Sequence, residues 1–295
     1  LMLAANSDKS SEPPLWLLSE SPLAGRGAPG LARTGAWGLA RTARAEAPAA
    51  PIGCVRLEGQ SLHDSLRTLL SSAAARSEPE IACSGTAVRV PRLATAASLQ
   101  AGGQPRLHGA QLLTGGTGGL GIVTAQWLAG CGASALLLAS RSGAVADGGA
   151  ALELRASGAD VRVALCDAAD AASTSRLLAV ASGEALPPLR GVWHAAGVLA
   201  DGMLRSQTAA MLRRVYGAKA HGAWALQRGA ATTPLQCCAL FSSVAALLGS
   251  AGQANYAAAN SCLDALAGAR RGAALSGVSV QWGPWAEVGM AAGGA

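Results

Sequence analysis

The sequence predicts an α/β protein in which a doubly wound parallel sheet, with helices on both faces, follows a smaller α/β unit. Three observations carry this. Six short apolar runs (111–114, 135–139, 161–166, 191–194, 235–242 and 278–282) alternate with stretches long enough for helices, and strands that alternate with helices form parallel sheets. A glycine-rich turn joins the first of these runs to the stretch that follows it. Apolar residues make up 51% of the 295 and charged residues 14%, which suits a packed core and is too apolar for a disordered chain. With 38 Gly, abundant Ala and only 3% aromatics, that core depends on close backbone packing.

Along the chain, residues 1–30 are rich in Pro, Gly and Ser with little periodicity and read as a poorly ordered tail. Residues 35–45 read as a helix, and 52–57 alternate like a strand. Residues 61–75 are helical, with Leu62, Leu66, Leu69 and Leu70 on one stripe. Residues 81–84 and 87–90 form a hairpin around Gly85. Residues 98–106, with Gly102-Gly103-Gln104-Pro105, read as a linker, so the expected division is 1–106 and 107–295.

Of 23 basic residues only Lys9 and Lys219 are lysines, and the net charge is +6. The arginines are dispersed and no basic run is interleaved with aromatics, which argues against nucleic acid; a mildly basic surface suits an acidic protein partner. Seven Cys, with no C-x-x-C pair and no zinc-like His/Cys spacing, point to buried thiols in a reducing, cytoplasmic compartment. Cys237 and Cys238 point to opposite faces of a strand. No apolar run is long enough to span a bilayer, and the start lacks a signal-peptide pattern. The chain begins at Leu1 rather than Met and reads as a segment of something longer.

Thr114-Gly115-Gly116-Thr117-Gly118-Gly119-Leu120-Gly121 lies between a strand and a helix, the setting in which G-x-G-x-x-G signals a Rossmann-type dinucleotide site. Glycines permit the tight turn and close backbone approach to a pyrophosphate, and the helix N-terminus supplies free N–H groups. The second strand ends in Ser140-Arg141. An acidic residue there would serve the ribose 2′-hydroxyl of NAD; an arginine suits a 2′-phosphate, hence NADPH. Asp167 ends the third strand and is either an adenine-binding residue or a helix N-cap.

Reducing a ketone needs a hydride, which NADPH supplies, and a proton, which a side chain must supply. Tyr256 is a candidate acid, with a free phenol pKa of about 10 that a nearby cation lowers. Asn260 lies one turn further along the same helix. Ser243 follows a buried strand and can bind the carbonyl oxygen, with Ser242 as its rival. Lys219 can supply the charge. Acid, carbonyl anchor, charge and polar clamp make a working set. His194 and His221 are alternative bases, but His194 ends an apolar strand and reads as structural.

These residues carry a resemblance. The chain resembles the ketoreductase domains of modular polyketide synthases and animal-type fatty acid synthases, within the short-chain dehydrogenase/reductase superfamily. Ordinary members carry Tyr-x-x-x-Lys; here Asn260 stands four residues after Tyr256 and the lysine, Lys219, precedes it, an exchange typical of synthase ketoreductases. Supporting stretches are Gly191-Val192-Trp193-His194-Ala195-Ala196-Gly197-Val198, Phe241-Ser242-Ser243-Val244 and Gln281-Trp282-Gly283-Pro284-Trp285. Upstream, Gly38-Leu39-Ala40-Arg41-Thr42-Ala43-Arg44-Ala45-Glu46 and Val90-Pro91-Arg92-Leu93 resemble the family's non-catalytic structural subdomain, here shortened.

The resemblance implies a Rossmann-type catalytic subdomain preceded by a smaller, truncated α/β structural subdomain. It implies catalytic Tyr256, Ser243, Lys219 and Asn260, and further cofactor contacts from Ala195, Ala196, Gly197 and Pro284. The reaction it implies is NADPH-dependent reduction of a β-ketoacyl thioester on an acyl carrier protein, beside neighbouring synthase domains. The family also carries a mark of the side from which the substrate enters. Leu199-Ala200-Asp201 keeps the last Asp of a Leu-Asp-Asp motif, and Leu248 stands where the opposing Trp would be; both favour the B-type and a D-configured alcohol. Two rival readings are a free-standing NADPH carbonyl reductase, active on untethered ketones alone, and a silent scaffold of a megasynthase, which would not bind NADPH.

Overall fold

The computed structural model describes residues 15–20, 28–58, 62–72, 77–95, 106–145 and 148–285. They form two sheets of unequal size. The first has four strands: β1 (Leu15–Glu20), β2 (Ile52–Leu57) and β3 (Glu80–Ser84) run parallel, and β4 (Ala87–Arg89) returns antiparallel. Its helices are α1 (Ala28–Glu46) and α2 (Leu62–Ser71). The β3–β4 turn passes through Gly85 at φ 59°, a left-handed value that glycine adopts without strain.

β1 is a difference from the sequence expectation, which left residues 1–30 without structure. Its Leu15-Trp16-Leu17-Leu18 run is a short continuous apolar strand rather than an alternating one, so periodicity does not reveal it. A partner 37 residues away decides it: Trp16 pairs with Gly53, and a Cβ on Gly53 would lie 2.2 Å from the Trp16 ring. The expected 98–106 linker and the rest of the expected tail fall almost wholly outside the described residues.

The second sheet has the all-parallel order β10-β9-β8-β5-β6-β7. Its strands are β5 (Ala110–Thr114), β6 (Ala135–Ser140), β7 (Asp160–Leu165), β8 (Leu189–His194), β9 (Cys237–Ser243) and β10 (Val278–Trp282). The crossovers contain α3 (Gly119–Gly130), α4 (Gly148–Ala156), α5 (Ala171–Ala181), α6 (Ala209–Tyr216), α7 (Gly222–Gly229), α8 (Val244–Leu248) and α9 (Ala254–Gly272).

Burial on both faces explains why the central strands read as unbroken apolar runs. Leu112, Leu137 and Val192 pack with Leu177 and Leu178 on one face; Leu113, Leu136 and Leu138 pack with Leu128 and Leu154 on the other. β7, at an edge, leaves Val163 and Leu165 exposed. The alanine and glycine content is used where α1 crosses α9. A Cβ on Gly38 would lie 2.4 Å from the Ala257 carbonyl oxygen, so the two backbones approach closely. No disulfide joins any of the seven cysteines, and no helix among the described residues is long and apolar enough to cross a membrane.

Candidate active site

Two adjoining cavities lie at the C-terminal ends of the second sheet's strands, where doubly wound sheets bind ligands. The first, of about 660 Å³, is lined by Thr114, Gly115, Thr117, Gly118, Gly119, Leu120 and Gly121, by Ser140 and Arg141, by Asp167, and by Ala195, Ala196 and Gly197. Gly116 is not on the lining; it holds the turn together instead. Its backbone N–H donates to the Ala139 carbonyl at 3.1 Å, and a Cβ there would lie 2.8 Å from the Leu113 oxygen. Gly115 has φ 71°, and a Cβ on it would meet the Ala196 nitrogen at 2.7 Å. The turn therefore opens a cradle of backbone at the N-terminus of α3, the geometry that takes a pyrophosphate.

Asp167 does not cap α5. Asp170 does, accepting from Ala172 and Ser173 N–H, while Asp167 accepts from Ala169 N–H at 3.0 Å and keeps its place on the cavity wall. Arg141 is exposed at the rim and has no ion pair among the described residues. Ser140 ties its own loop, its hydroxyl taking the Gly143 N–H at 3.2 Å.

The second cavity, of about 390 Å³, shares Leu120 and Ala195 with the first. Lys219, Ser243 and Tyr256 line it. Pro284 also lines this cavity and not the first. In the sequence it stands between Trp282 and Trp285, whose rings are 5.1 Å apart, so its place is at the Tyr256 end of the two cavities rather than at the glycine turn. The two tryptophans, quoted above only as part of a supporting stretch, also line this cavity and were not among the expected site residues.

Ser243 ends β9 and caps α8, accepting from Ala245 N–H at 3.2 Å, and its hydroxyl also hydrogen-bonds the Tyr256 phenol on the wall of this cavity. Ser242 is buried and donates to the Asn260 carbonyl at 3.3 Å. Alternation along the strand thus separates the two serines. Asn260 is fully buried on α9; its Nδ2 donates to the Tyr256 carbonyl at 2.9 Å, and its Oδ1 has no partner among the described residues.

Lys219 sits in a single π-helical turn (Gly217–His221) between α6 and α7, a device often found at functional sites. It is 2% exposed. Its Nζ donates to the Phe241 carbonyl at 2.9 Å and lies 5.2 Å from the centre of the Tyr256 ring. Burial lowers its pKa to about 8, opposed by the distant charge of Asp264. The expected effect on Tyr256 differs: the phenol is pushed above its ordinary value. Burial is the main cause, and Asn260 and Ser243 pull it back by hydrogen bonding while Asp201 pushes it further up. Desolvation of the buried phenol thus outweighs the two hydrogen bonds that favour the phenolate.

His194 ends β8, fully buried. Its Nδ1 meets the Thr114 hydroxyl at 2.7 Å and its Nε2 the Lys219 carbonyl at 2.9 Å. Burial first, and the Lys219 charge second, lower its pKa to about 4. It is a neutral strut that fixes the Lys219 turn against the sheet. His221 lies outside the cavity lining, 6.2 Å ring to ring from Tyr216.

The KR domain family matches residues 109–287, and the family described as "Polyketide synthase extender module SpnB, Rossmann fold domain" matches residues 4–93. The chain is 48% identical over 193 residues to polyketide synthase GfsB of Streptomyces halstedii, covering 64% of this chain and 3% of that protein. Among solved structures, one of A-type ketoreductases from a modular polyketide synthase is 40% identical with TM-score 0.84, covering 95% of this chain and 60% of that one. One of an A1-type ketoreductase is 39% identical with TM-score 0.83, covering 94% and 60%. The chain thus spans a few per cent of that synthase and about three fifths of these solved chains.

Proposed function

The chain belongs to the KR family, the ketoreductase domains of modular polyketide synthases in the short-chain dehydrogenase/reductase superfamily, and from that premise we propose that it reduces a β-ketoacyl thioester on an acyl carrier protein with NADPH. The observation that carries the proposal is the pair of adjoining cavities: a glycine cradle with Arg141 at its rim opens, past Leu120 and Ala195, onto Ser243, Tyr256 and Lys219. The cradle residues fit a dinucleotide, because the backbone approaches closely at Gly115 and Gly121 and the helix N-terminus faces the cavity. A cofactor bound there supplies the hydride.

This chain's own groups do the rest. Ser243 donates its hydroxyl proton to the ketone oxygen, polarising it as charge develops. Tyr256 gives that oxygen its proton; the raised pKa keeps the phenol protonated until it is needed. Lys219, held by Phe241 and by the His194 strut, stabilises the phenolate left behind. Asn260 holds the Tyr256 turn of α9. In this reading residues 1–106 are the non-catalytic structural subdomain, and seven cysteines without a disulfide suit a cytoplasmic setting.

We assign the B-type on two positions rather than on overall likeness to A-type relatives. Leu248 lines the cavity where the family's opposing Trp would stand. Asp201 caps no helix: the turn Leu204–Ser206 has no side-chain cap and α6 is capped by Thr208. Instead Asp201 accepts from Gln253 Nε2 at 3.2 Å, joining two loops beside Tyr256. The test is reduction of a carrier-bound β-ketoacyl chain with NADPH, followed by chiral chromatography. A D-alcohol is expected. An L-alcohol overturns the B-type and leaves the reductase standing; no alcohol overturns the reductase.

A further inference from the structure

Glu46 ends α1, in the half of the chain that holds none of the proposed catalytic groups, yet both its carboxylate oxygens are spent on the other half. Oε2 accepts from the Leu204 backbone N–H at 2.7 Å, and Oε1 accepts from the Gly252 backbone N–H at 2.9 Å. These partners are 158 and 206 residues away in sequence. Leu204 follows the loop that carries Leu199 and Asp201; Gly252 belongs to the loop that carries Gln253 and follows Leu248, the last residue of α8. Leu199, Leu248 and Gln253 line the substrate-side cavity.

The two loops are also tied to each other. Gly202 N–H donates to the Gly252 carbonyl at 2.8 Å, and Gln253 Nε2 to Asp201. Asn255 Nδ2 donates to the Ala200 carbonyl at 2.7 Å, one residue before Tyr256. α1 reinforces the second loop with Thr42, whose hydroxyl accepts from Ser250 N–H at 3.3 Å, and with Arg41, whose guanidinium donates to the Ala246 carbonyl at 2.5 Å. Gly249, at φ 77°, lets that loop lie against α1: a Cβ there would be 2.5 Å from the Arg41 carbonyl carbon. Charged hydrogen bonds to main chain are among the stronger ones. Because Glu46 takes only backbone N–H groups, it fixes the loops while leaving their side chains to the substrate.

We propose that Glu46 is a positioning residue that sets the gap between these two loops, and so the face of the ketone presented to the hydride. This rests on the ketoreductase reading above. Without Glu46 two N–H groups lose their acceptor and the loops can part; the cofactor cradle and Tyr256 keep their own supports. Glu46→Gln keeps one acceptor oxygen but turns an N–H₂ toward the other N–H, so it is an intermediate case.

The experiment compares the full chain with Glu46→Ala and Glu46→Gln, using NADPH and a diffusible β-ketoacyl thioester. The readouts are the ratio of the two alcohols, KM and kcat separately, NADPH Kd by fluorescence titration, and amide hydrogen exchange at Leu204 and Gly252. For Glu46→Ala, the minor alcohol and KM each rise by roughly tenfold, the worth of one charged hydrogen bond. NADPH Kd stays within about twofold, and exchange quickens at both amides. Glu46→Gln falls between Ala and wild type, and it decides the matter alone should Glu46→Ala not fold.

An unchanged alcohol ratio and KM, with only a lower Tm, reduces Glu46 to a brace and overturns the proposal. So does unchanged exchange at Leu204 and Gly252. A wild-type chain that gives mainly the L-alcohol contradicts the B-type but leaves the Glu46 test readable as loss of that preference. A wild-type chain that forms no alcohol overturns both readings.

Discussion

Glu80 in the first sheet and Lys219 beneath the second are both buried charges, and they are treated in opposite ways. Glu80 is closed in by two guanidinium groups: Arg41 reaches both of its oxygens, at 2.7 and 2.6 Å, and Arg44 reaches one of them. Burial pushes its pKa up, but the two arginines outweigh that and hold it below the ordinary carboxylate value. Lys219 has no carboxylate within ion-pair distance among the described residues; it has one carbonyl and the ring of Tyr256. In the first region, Glu80 is spent on holding that region together. The second carries an unneutralised charge at the end of a cavity, which is how sites of chemistry differ from structural ion pairs.

The strongest way to break this contrast is to remove each group and ask what is lost. Tyr256→Phe deletes the acid while leaving the cradle untouched. Turnover is expected to fall by roughly 10²–10⁴-fold with NADPH binding intact, read by NADPH consumption and fluorescence titration on the same sample. Near-normal turnover would mean that another group protonates the alkoxide. Lys219→Met should also abolish most activity, yet leave the midpoint of urea unfolding unchanged or higher, because an uncompensated buried charge is gone.

Glu80→Ala should do the reverse. It leaves two buried guanidinium groups without their partner, a loss of about 3–5 kcal/mol. The arginines are partly exposed, at 18% and 21%, which places the expected effect at the lower end. Urea unfolding measures it. A Glu80→Ala protein as stable as wild type would show that the cluster is decorative and remove half of the contrast.

Acid separates the two regions by their pKa windows. His194 binds a proton in the unfolded chain below about 6.5 but in the folded chain only near 4, so the stability it confers is lost as pH falls between those values. Glu80 is lowered from 4.5, so its stabilisation is complete above 4.5 and lost only below it. The half that holds the second sheet should therefore loosen first, and the amide protection factors near the Lys219 turn should fall between about pH 6 and 5, within that window, while α1 stays protected. His194→Gln should remove the upper step and leave the lower one.

Much of the site was legible because its parts are local in sequence or sit at ends of strands. The glycine turn, Arg141, Ser243 and the Tyr256–Asn260 pair all belong to short patterns with a mechanism attached. Fold class followed from apolar runs that central strands bury on both faces. What escaped depends on partners far along the chain. Glu46 closes a stretch that the resemblance marks only as structural, and its contacts take on meaning only across 158 and 206 residues. His194 read as structural from its apolar strand, but what it braces appears only when β5 and β8 pair, 80 residues apart. The direction of the Tyr256 shift follows from how deeply its phenol is buried, which spacing along the chain cannot supply.

Arg141 offers the smallest effect and the sharpest reading of the cradle itself. It lies at the rim of the first cavity, exposed, beside Ser140 and Ser142, whose hydroxyls are 3.1 Å apart and organise the loop without engaging the guanidinium. Its charge is therefore available to an anion, whereas Arg41 and Arg44 are committed to Glu80. A 2′-phosphate is the group that distinguishes NADPH from NADH at this place in the fold. A charge-assisted hydrogen bond of this kind contributes roughly 1.5–3 kcal/mol, or about ten- to a hundredfold in Kd. Arg141→Asp should weaken NADPH by that factor, leave NADH nearly unchanged, and flatten the preference between them. Because the residue is exposed and far from Tyr256 in the sequence of contacts, kcat with saturating cofactor should hold. Fluorescence titration with the two cofactors decides it, and a preference for NADPH that survives the substitution would move the 2′-phosphate contact to another group on the rim.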